Sequence, residues 1–115
     1  RVSELYQEFH PSILAALKEV VDCAHSEKKG IGICGEMAGN PAGALLLMGM
    51  GYDVLSMNST KLLMVKKALT TIELAKAKRI LNKALKMDDA YQIKDYVDGQ
   101  LRKAGLGQIV RSRRQ

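Results

Sequence analysis

The run Ile31–Cys34 is four apolar or small residues long and fenced by Gly30 and Gly35. It is too short for a helix and too apolar for a surface loop, so it reads as a buried strand. A second strand follows at Tyr52–Met57, with Val54 and Leu55 at its centre. Between them Asn40 stands where a helix cap belongs and Pro41 where a first helical residue belongs. That helix is expected from Ala42 to about Met48, with Gly49 and Gly51 ending it. Ahead of the first strand, Ile13, Leu14, Leu17, Val20, Val21 and Ala24 recur at helical spacing after Pro11. They predict an amphipathic helix that closes on Lys28, Lys29 and Gly30, cations and then a glycine. Val2–Phe9 is a further short helix or an ordered loop. Helix, strand, helix, strand with short connections forces the two strands to run parallel.

Parallel strands are normally covered on both faces and flanked by neighbours, and two alone do not make a stable sheet. Ile31, Ile33, Val54 and Leu55 therefore demand strands that this chain does not supply. The expectation is a piece of something larger, or an assembly of copies. Arg1 at the first position suits a processed chain, an excised domain or a fragment. At 115 residues the chain is long enough for one domain and too short for two well-cored ones. Beyond Asn58 the pattern turns helical. Ser59 or Thr60 can cap a helix through Leu69, and Thr70 or Thr71 the next, Ile72 to Lys86. The apolar positions of that second helix are Leu74, Ala77, Ile80, Leu81, Ala84 and Leu85. Asp88 or Asp89 opens a third, through Ile93, Val97 and Leu101 to Gly105. Residues 1–105 are thus the folded portion, and 106–115 are expected to form a flexible basic tail.

Apolar residues make up 47% of the chain and charged residues 26%, an ordinary globular balance. No stretch reaches the ~20 apolar residues a membrane span needs, and nothing reads as a secretory leader. Cys23 and Cys34 make no disulfide framework, which points to a reduced, cytoplasmic chain. The net charge of +6 invites a nucleic-acid partner, but four arginines fall at Arg102, Arg111, Arg113 and Arg114. A basic tail adds charge without a groove-reading element. Five aromatic residues and no tryptophan leave little for base stacking. Neither a nucleic acid nor a membrane is expected as partner.

The chemistry-bearing candidates are few. Cys34 ends a strand and enters the glycine-punctuated turn GEMAG, a setting that offers a thiol to a substrate, although most free cysteines are small buried apolar residues. Cys23 sits beside Val20 and Val21 and reads as packing. Glu36 is a turn residue or salt-bridge partner before it is a base or metal ligand. His25 reads as a solvated group near a helix end, and His10, before Pro11, as a loop residue. The GMG and NPAG turns lack the lysine of a phosphate-binding loop, so their glycines read as structural. Met37, Met48, Met50, Met57 and Met64 gather around the strands as core filler, with Met37 and Met57 near strand ends. Asn58 ends the second strand and is a candidate hydrogen bonder behind the site.

The block HPSILAALKEVVDCAHSEKKGIGICGEMAGNPAGALLLMGMGYDVLSMN resembles the C-terminal end of the phosphoenolpyruvate-protein phosphotransferases, enzyme I of the sugar phosphotransferase system. CGEMAG followed at this separation by GMGYDVLSMN is the specific part; CGE alone is a weak signal, since pyruvate phosphate dikinase and phosphoenolpyruvate synthase carry similar turns. SMN and AHSEKK lean toward the nitrogen-related branch. The resemblance implies an α/β fold, the C-terminal fragment of a (β/α)8 TIM barrel. Ile31–Cys34 and Tyr52–Met57 would be its last two strands, followed by closing helices. Barrel active sites gather at the C-terminal strand ends, where Cys34 falls. In the family the cysteine of this turn protonates the enolate of pyruvate, which carries over to Cys34 alone. The resemblance further implies Mg²⁺, a homodimer, phosphoenolpyruvate or pyruvate as ligand, and a phosphocarrier protein, HPr or its nitrogen-related paralogue. The phosphorylated histidine, the metal carboxylates and the anion-clamping arginines of the family lie in segments this chain lacks. Neither His10 nor His25 matches the phospho-acceptor context, and the proline that usually opens the helix after the last strand is absent near Leu63. The isolated chain is accordingly expected to be inactive. Two other readings remain at this point. One is a dikinase or synthase using the same barrel with a nucleotide, which would carry a nucleotide-binding domain upstream. The other is a non-catalytic helical assembly module whose strands pair with another copy.

Overall fold

The computed structural model describes residues 7–110. Six helices and two strands occur in it: α1 (Pro11–Ser26), β1 (Gly32–Cys34), α2 (Pro41–Met50), β2 (Val54–Ser56), α3 (Ser59–Thr71), α4 (Leu74–Ala84), α5 (Ala90–Lys103) and α6 (Gly107–Val110). The architecture is mixed α/β, mostly helical with a small two-stranded sheet. β1 and β2 pair in parallel, Gly32 opposite Val54, Ile33 opposite Leu55 and Cys34 opposite Ser56.

The sheet has two unlike faces. Ile33 and Leu55 are half-buried and pack against the core, whereas Gly32, Cys34, Val54 and Ser56 are exposed on the other side. Val54 keeps 57% of its surface. A side-chain period of two explains the split: one register fixes which residues meet the helices and which are left bare.

α2 occupies the centre. All of its residues except Met48 are buried, which suits a helix apolar around its whole circumference. Asn40 Oδ1 accepts hydrogen bonds from the Ala42 and Gly43 amides at 3.0 and 3.2 Å, and Pro41 opens the helix as the sequence suggests. α1, α3, α4 and α5 all pack around α2. Gly49 does not end this helix, as expected above, but lies inside it. A Cβ at Gly49 would stand 2.8 Å from the Ala77 carbonyl oxygen, so the missing side chain lets α4 come in close. Gly51, at φ 105°, is the residue that closes α2.

The start of α4 also differs from expectation. Glu73 rather than Thr70 or Thr71 precedes it, because α3 runs on to Thr71, with the Thr70 hydroxyl donating back to the Lys66 carbonyl at 2.8 Å and the Thr71 hydroxyl to the Lys67 carbonyl at 2.6 Å. α5 is capped by Asp89, whose Oδ1 accepts from the Tyr91 amide at 2.8 Å. Inside it Lys94 and Asp98 form a buried ion pair at 2.6 Å, with the Lys94 ammonium over the Phe9 ring at 5.9 Å. The expected loose tail from residue 106 is not what the structure shows as far as Val110. Leu106, Ile109 and Val110 fold back onto the core, where their burial outweighs the cost of ordering this short piece of chain. Residues 111–115, and all but Gln7–Phe9 of the expected N-terminal element, lie outside the described residues. Among the described residues no helix is long and apolar enough to cross a membrane.

Candidate functional site at the strand ends

Cys34 is the last residue of β1 and its side chain is exposed. Parallel pairing sets Ser56, the last residue of β2, directly across from it. Both strands therefore finish at one rim, and both side chains lie on the bare face of the sheet.

The turn after Cys34 is held from below. Gly35 takes φ 126°, a conformation that side chains rarely adopt, and this reverses the chain immediately beyond the thiol. Glu36 is then exposed, while Met37 and Ala38 are buried and anchor the turn in the core. The Gly39 amide donates to the Gly35 carbonyl at 3.3 Å, and the Asn40 amide to the Met37 carbonyl at 3.2 Å. Gly43, in the first turn of α2, makes room for this arrangement. A Cβ there would come within 2.3 Å of the Met37 carbonyl oxygen, so the turn rests directly on helix backbone. The thiol thus stands on a short, well-supported segment between a strand end and a capped helix.

The corresponding rim of β2 carries Met57, Asn58 and the start of α3. Asn58 precedes α3 but makes no capping bond with its side chain; its Oδ1 accepts from the Thr60 hydroxyl at 2.6 Å. Met57 is half-buried, and Lys61 runs across the Cys34 turn, its Cγ 3.3 Å from where a Cβ on Gly39 would be. Nothing in the local sequence singles out Ser56 or Lys61. Ser56 becomes noticeable only once the register is known, and Lys61 looked like one lysine among many.

The opposite ends of the strands hold a different cluster. Asp53, just before β2, accepts the Ile31 amide at 2.8 Å and sits 2.9 Å from His25 Nε2 near the end of α1. The His25 contact, then the Ile31 amide, hold the Asp53 carboxyl below its ordinary 3.8. Tyr52 donates its hydroxyl proton to the Leu17 carbonyl at 2.9 Å, and burial pushes its pKa up. These contacts fasten α1 to both strands at the rim remote from Cys34, so His25 is a fastener rather than a free solvated group. His10 accepts the Ser12 amide at 3.1 Å and caps α1, away from the thiol's turn in sequence and role. Cys23 is exposed on α1 rather than packed as expected, because the inward stripe of that helix runs through Leu14 and Val21. Among the described residues no three His, Cys, Asp or Glu side chains stand close enough to hold a metal ion.

Residues 1–74 match the family described as PEP-utilising enzyme, PEP-binding domain. A phosphoenolpyruvate-protein phosphotransferase of Enterococcus faecalis is 42% identical over 92 residues, 80% of this chain and 16% of that protein. The phosphotransferase of the same name from Haemophilus influenzae is 37% identical over 97 residues, covering 84% of this chain and 17% of its own length. That of Staphylococcus carnosus is 35% identical over 98 residues, 85% and 17% respectively. The chain spans about one sixth of the length of these curated relatives. With the family match extending over more than half of its residues, the chain belongs to the PEP-utilising enzymes and forms part of their PEP-binding domain.

Proposed function

We propose that this chain is the C-terminal part of the PEP-binding (β/α)8 barrel of a phosphoenolpyruvate-protein phosphotransferase, and that Cys34 is its proton donor. The carrying observation is the place of the thiol: exposed, at the C-terminal end of a parallel strand, on the sheet face that the helices leave open. In a barrel the outer faces of the strands meet helices and the inner faces meet one another. Ile33 and Leu55 against the helices, with Gly32, Cys34, Val54 and Ser56 bare, fit that division.

The reaction is a phosphoryl transfer followed by protonation. The P–O bond of phosphoenolpyruvate breaks and the phosphoryl group passes to a histidine on a separate domain. From there it passes to a phosphocarrier protein, HPr or its nitrogen-related paralogue. The enolate left behind takes a proton on C3 from the Cys34 thiol, giving pyruvate and a thiolate that recovers its proton from solvent. A thiol suits this exchange because it can give and regain a proton near neutral pH. Gly35 lets substrate approach the thiol without a side chain in the way, and the Met37 anchor holds the turn still.

Mg²⁺ is the metal such an enzyme uses, but the side chains described here do not fit it. Its ligands belong to other strands, and the steps assigned to this chain do not pass through it. The 115-residue chain alone is therefore inactive, and the working enzyme is a cytoplasmic homodimer. SMN at the end of β2 and AHSEKK at the end of α1 favour the nitrogen-related branch.

The test uses the full-length protein in deuterated buffer with pyruvate, following loss of the methyl proton signal. Cys34→Ala should slow that exchange by about 10²-fold or more, the usual contribution of a positioned general acid. The isolated 115-residue chain should show none. Exchange at the parental rate in the Cys34→Ala protein would remove the thiol from the mechanism.

A further inference from the structure

The positive charge of this chain is not evenly spread. Residues 59–87 contain eight lysines and arginines, Lys61, Lys66, Lys67, Lys76, Lys78, Arg79, Lys83 and Lys86, against one acid, Glu73. Residues 7–58 contain three, Lys18, Lys28 and Lys29, against Glu8, Glu19, Asp22, Glu27, Glu36 and Asp53. The densest part is α4. Ala77, Ile80, Leu81 and Ala84 face the core, and the opposite side carries the cations. Lys76, Arg79 and Lys83 follow one another at spacings of three and four, a single row along the helix, with Lys78 beside it and Lys86 just past its end. Arg79, Lys83, Lys78 and Lys86 are exposed and Lys76 is half-exposed.

Among the described residues no carboxylate lies within ion-pair distance of these five groups. Like charges at i,i+3 and i,i+4 each weaken a helix by a few tenths of a kcal/mol, so the row works against the helix that bears it. Lys83 is steered as well as exposed, with its ammonium 5.3 Å from the centre of the Tyr96 ring on α5.

We infer that the outer face of α4 is a docking surface for an acidic helix of a partner protein. A helix repeats its same-face positions every ~5 Å along its axis, so a row of carboxylates at the same spacing meets the cations rung for rung. Other polyanions fit less well. α4 itself bears no aromatic residue on which a base could stack, and the Tyr96 ring beside it is half-buried under Lys83. Leu74, at 49% exposure, is its one sizeable exposed apolar side chain. That is too little to enter a lipid surface and enough to serve as an anchor at one end of a helix–helix contact. The contact is polar, transient and weakened by salt.

The test titrates the 115-residue chain with two synthetic helical peptides of equal composition, one with glutamates in a single i,i+3/i+4 row and one with them scattered. Binding is read by fluorescence anisotropy at low and physiological salt. The row peptide should bind more tightly, and more so at low salt. Replacing Lys76, Arg79, Lys83 and Lys86 by Gln should weaken it about tenfold, given the strength of a few exposed ion pairs, with the far-UV circular dichroism unchanged. Should that variant lose helicity, Arg79→Gln with Lys83→Gln replaces it and should weaken binding about threefold. Lys28→Gln with Lys29→Gln should leave binding as it was. The inference fails if the scattered peptide binds equally, if the α4 variants bind like the parent, or if the Lys28 and Lys29 changes weaken binding as much. Tighter binding of duplex DNA or of phosphatidylserine vesicles at the same salt would overturn it too.

Discussion

Asp53 shows how much a single carboxylate can organise. It accepts the amide that begins β1, contacts the histidine near the end of α1 and itself begins the approach to β2. Because these contacts hold its carboxyl below 3.8 in the folded state, they stabilise the fold only while the group is ionised. Their contribution is complete above the unfolded value and drains away as pH falls through the lower folded one. The parent should therefore lose stability on acidification around and below pH 3.8, and Asp53→Asn should lose less over the same range in pH-dependent urea unfolding. A variant with the parental slope would show that Asp53 does not fasten the strands. Little of this was legible beforehand. His25 lies among charged neighbours and resembles any solvated residue at a helix end. Its partner is 28 residues away, and only the parallel pairing brings them together.

At the scale of elements, α2 explains both what the sequence reveals and what it conceals. Its cap and its opening proline follow from local chemistry and were readable from Asn40 and Pro41 alone. Its end is concealed, because a glycine in a short apolar run looks like a stop, whereas Gly49 is there to admit the Ala77 carbonyl. Gly49→Ala should therefore push α2 and α4 apart and cost about 1–3 kcal/mol in chemical denaturation, as overpacking of a tight contact does. An unchanged or raised midpoint would mean that the helices yield freely. The same contrast runs through the candidate site. Cys34 and its turn were legible from residue types, since strand, thiol and glycine follow one another in sequence. Ser56 and Lys61 join them only through register and through the fold of the next helix. α6 is hidden in the sequence because three apolar residues among polar ones give too short a period to recognise, yet the core has room for them.

For the whole molecule, the bare face of the sheet is the feature that the helices leave unexplained. Helices cover one side of β1 and β2, and Val54 remains more than half exposed on the other. Membership of the PEP-binding domain supplies a reason, since a barrel would close over that face. A single substitution can separate the two situations. Val54→Thr should shift the stability of the 115-residue chain by no more than about 0.5 kcal/mol, as surface changes do. In the full-length protein the same hydroxyl would enter a packed interior and should cost about 1–3 kcal/mol. Equal effects in the two settings would argue against closure of a barrel over Val54.

The parallel pair also has two outer margins whose amide and carbonyl groups find no neighbouring strand among the described residues. Such margins recruit extended segments from any chain that comes near, their own kind included. A concentrated sample of this polypeptide is therefore expected to self-associate, with turbidity climbing as protein content rises. Charged groups flanking the strands, Asp53 before one and Glu36 after the other, temper that tendency without abolishing it.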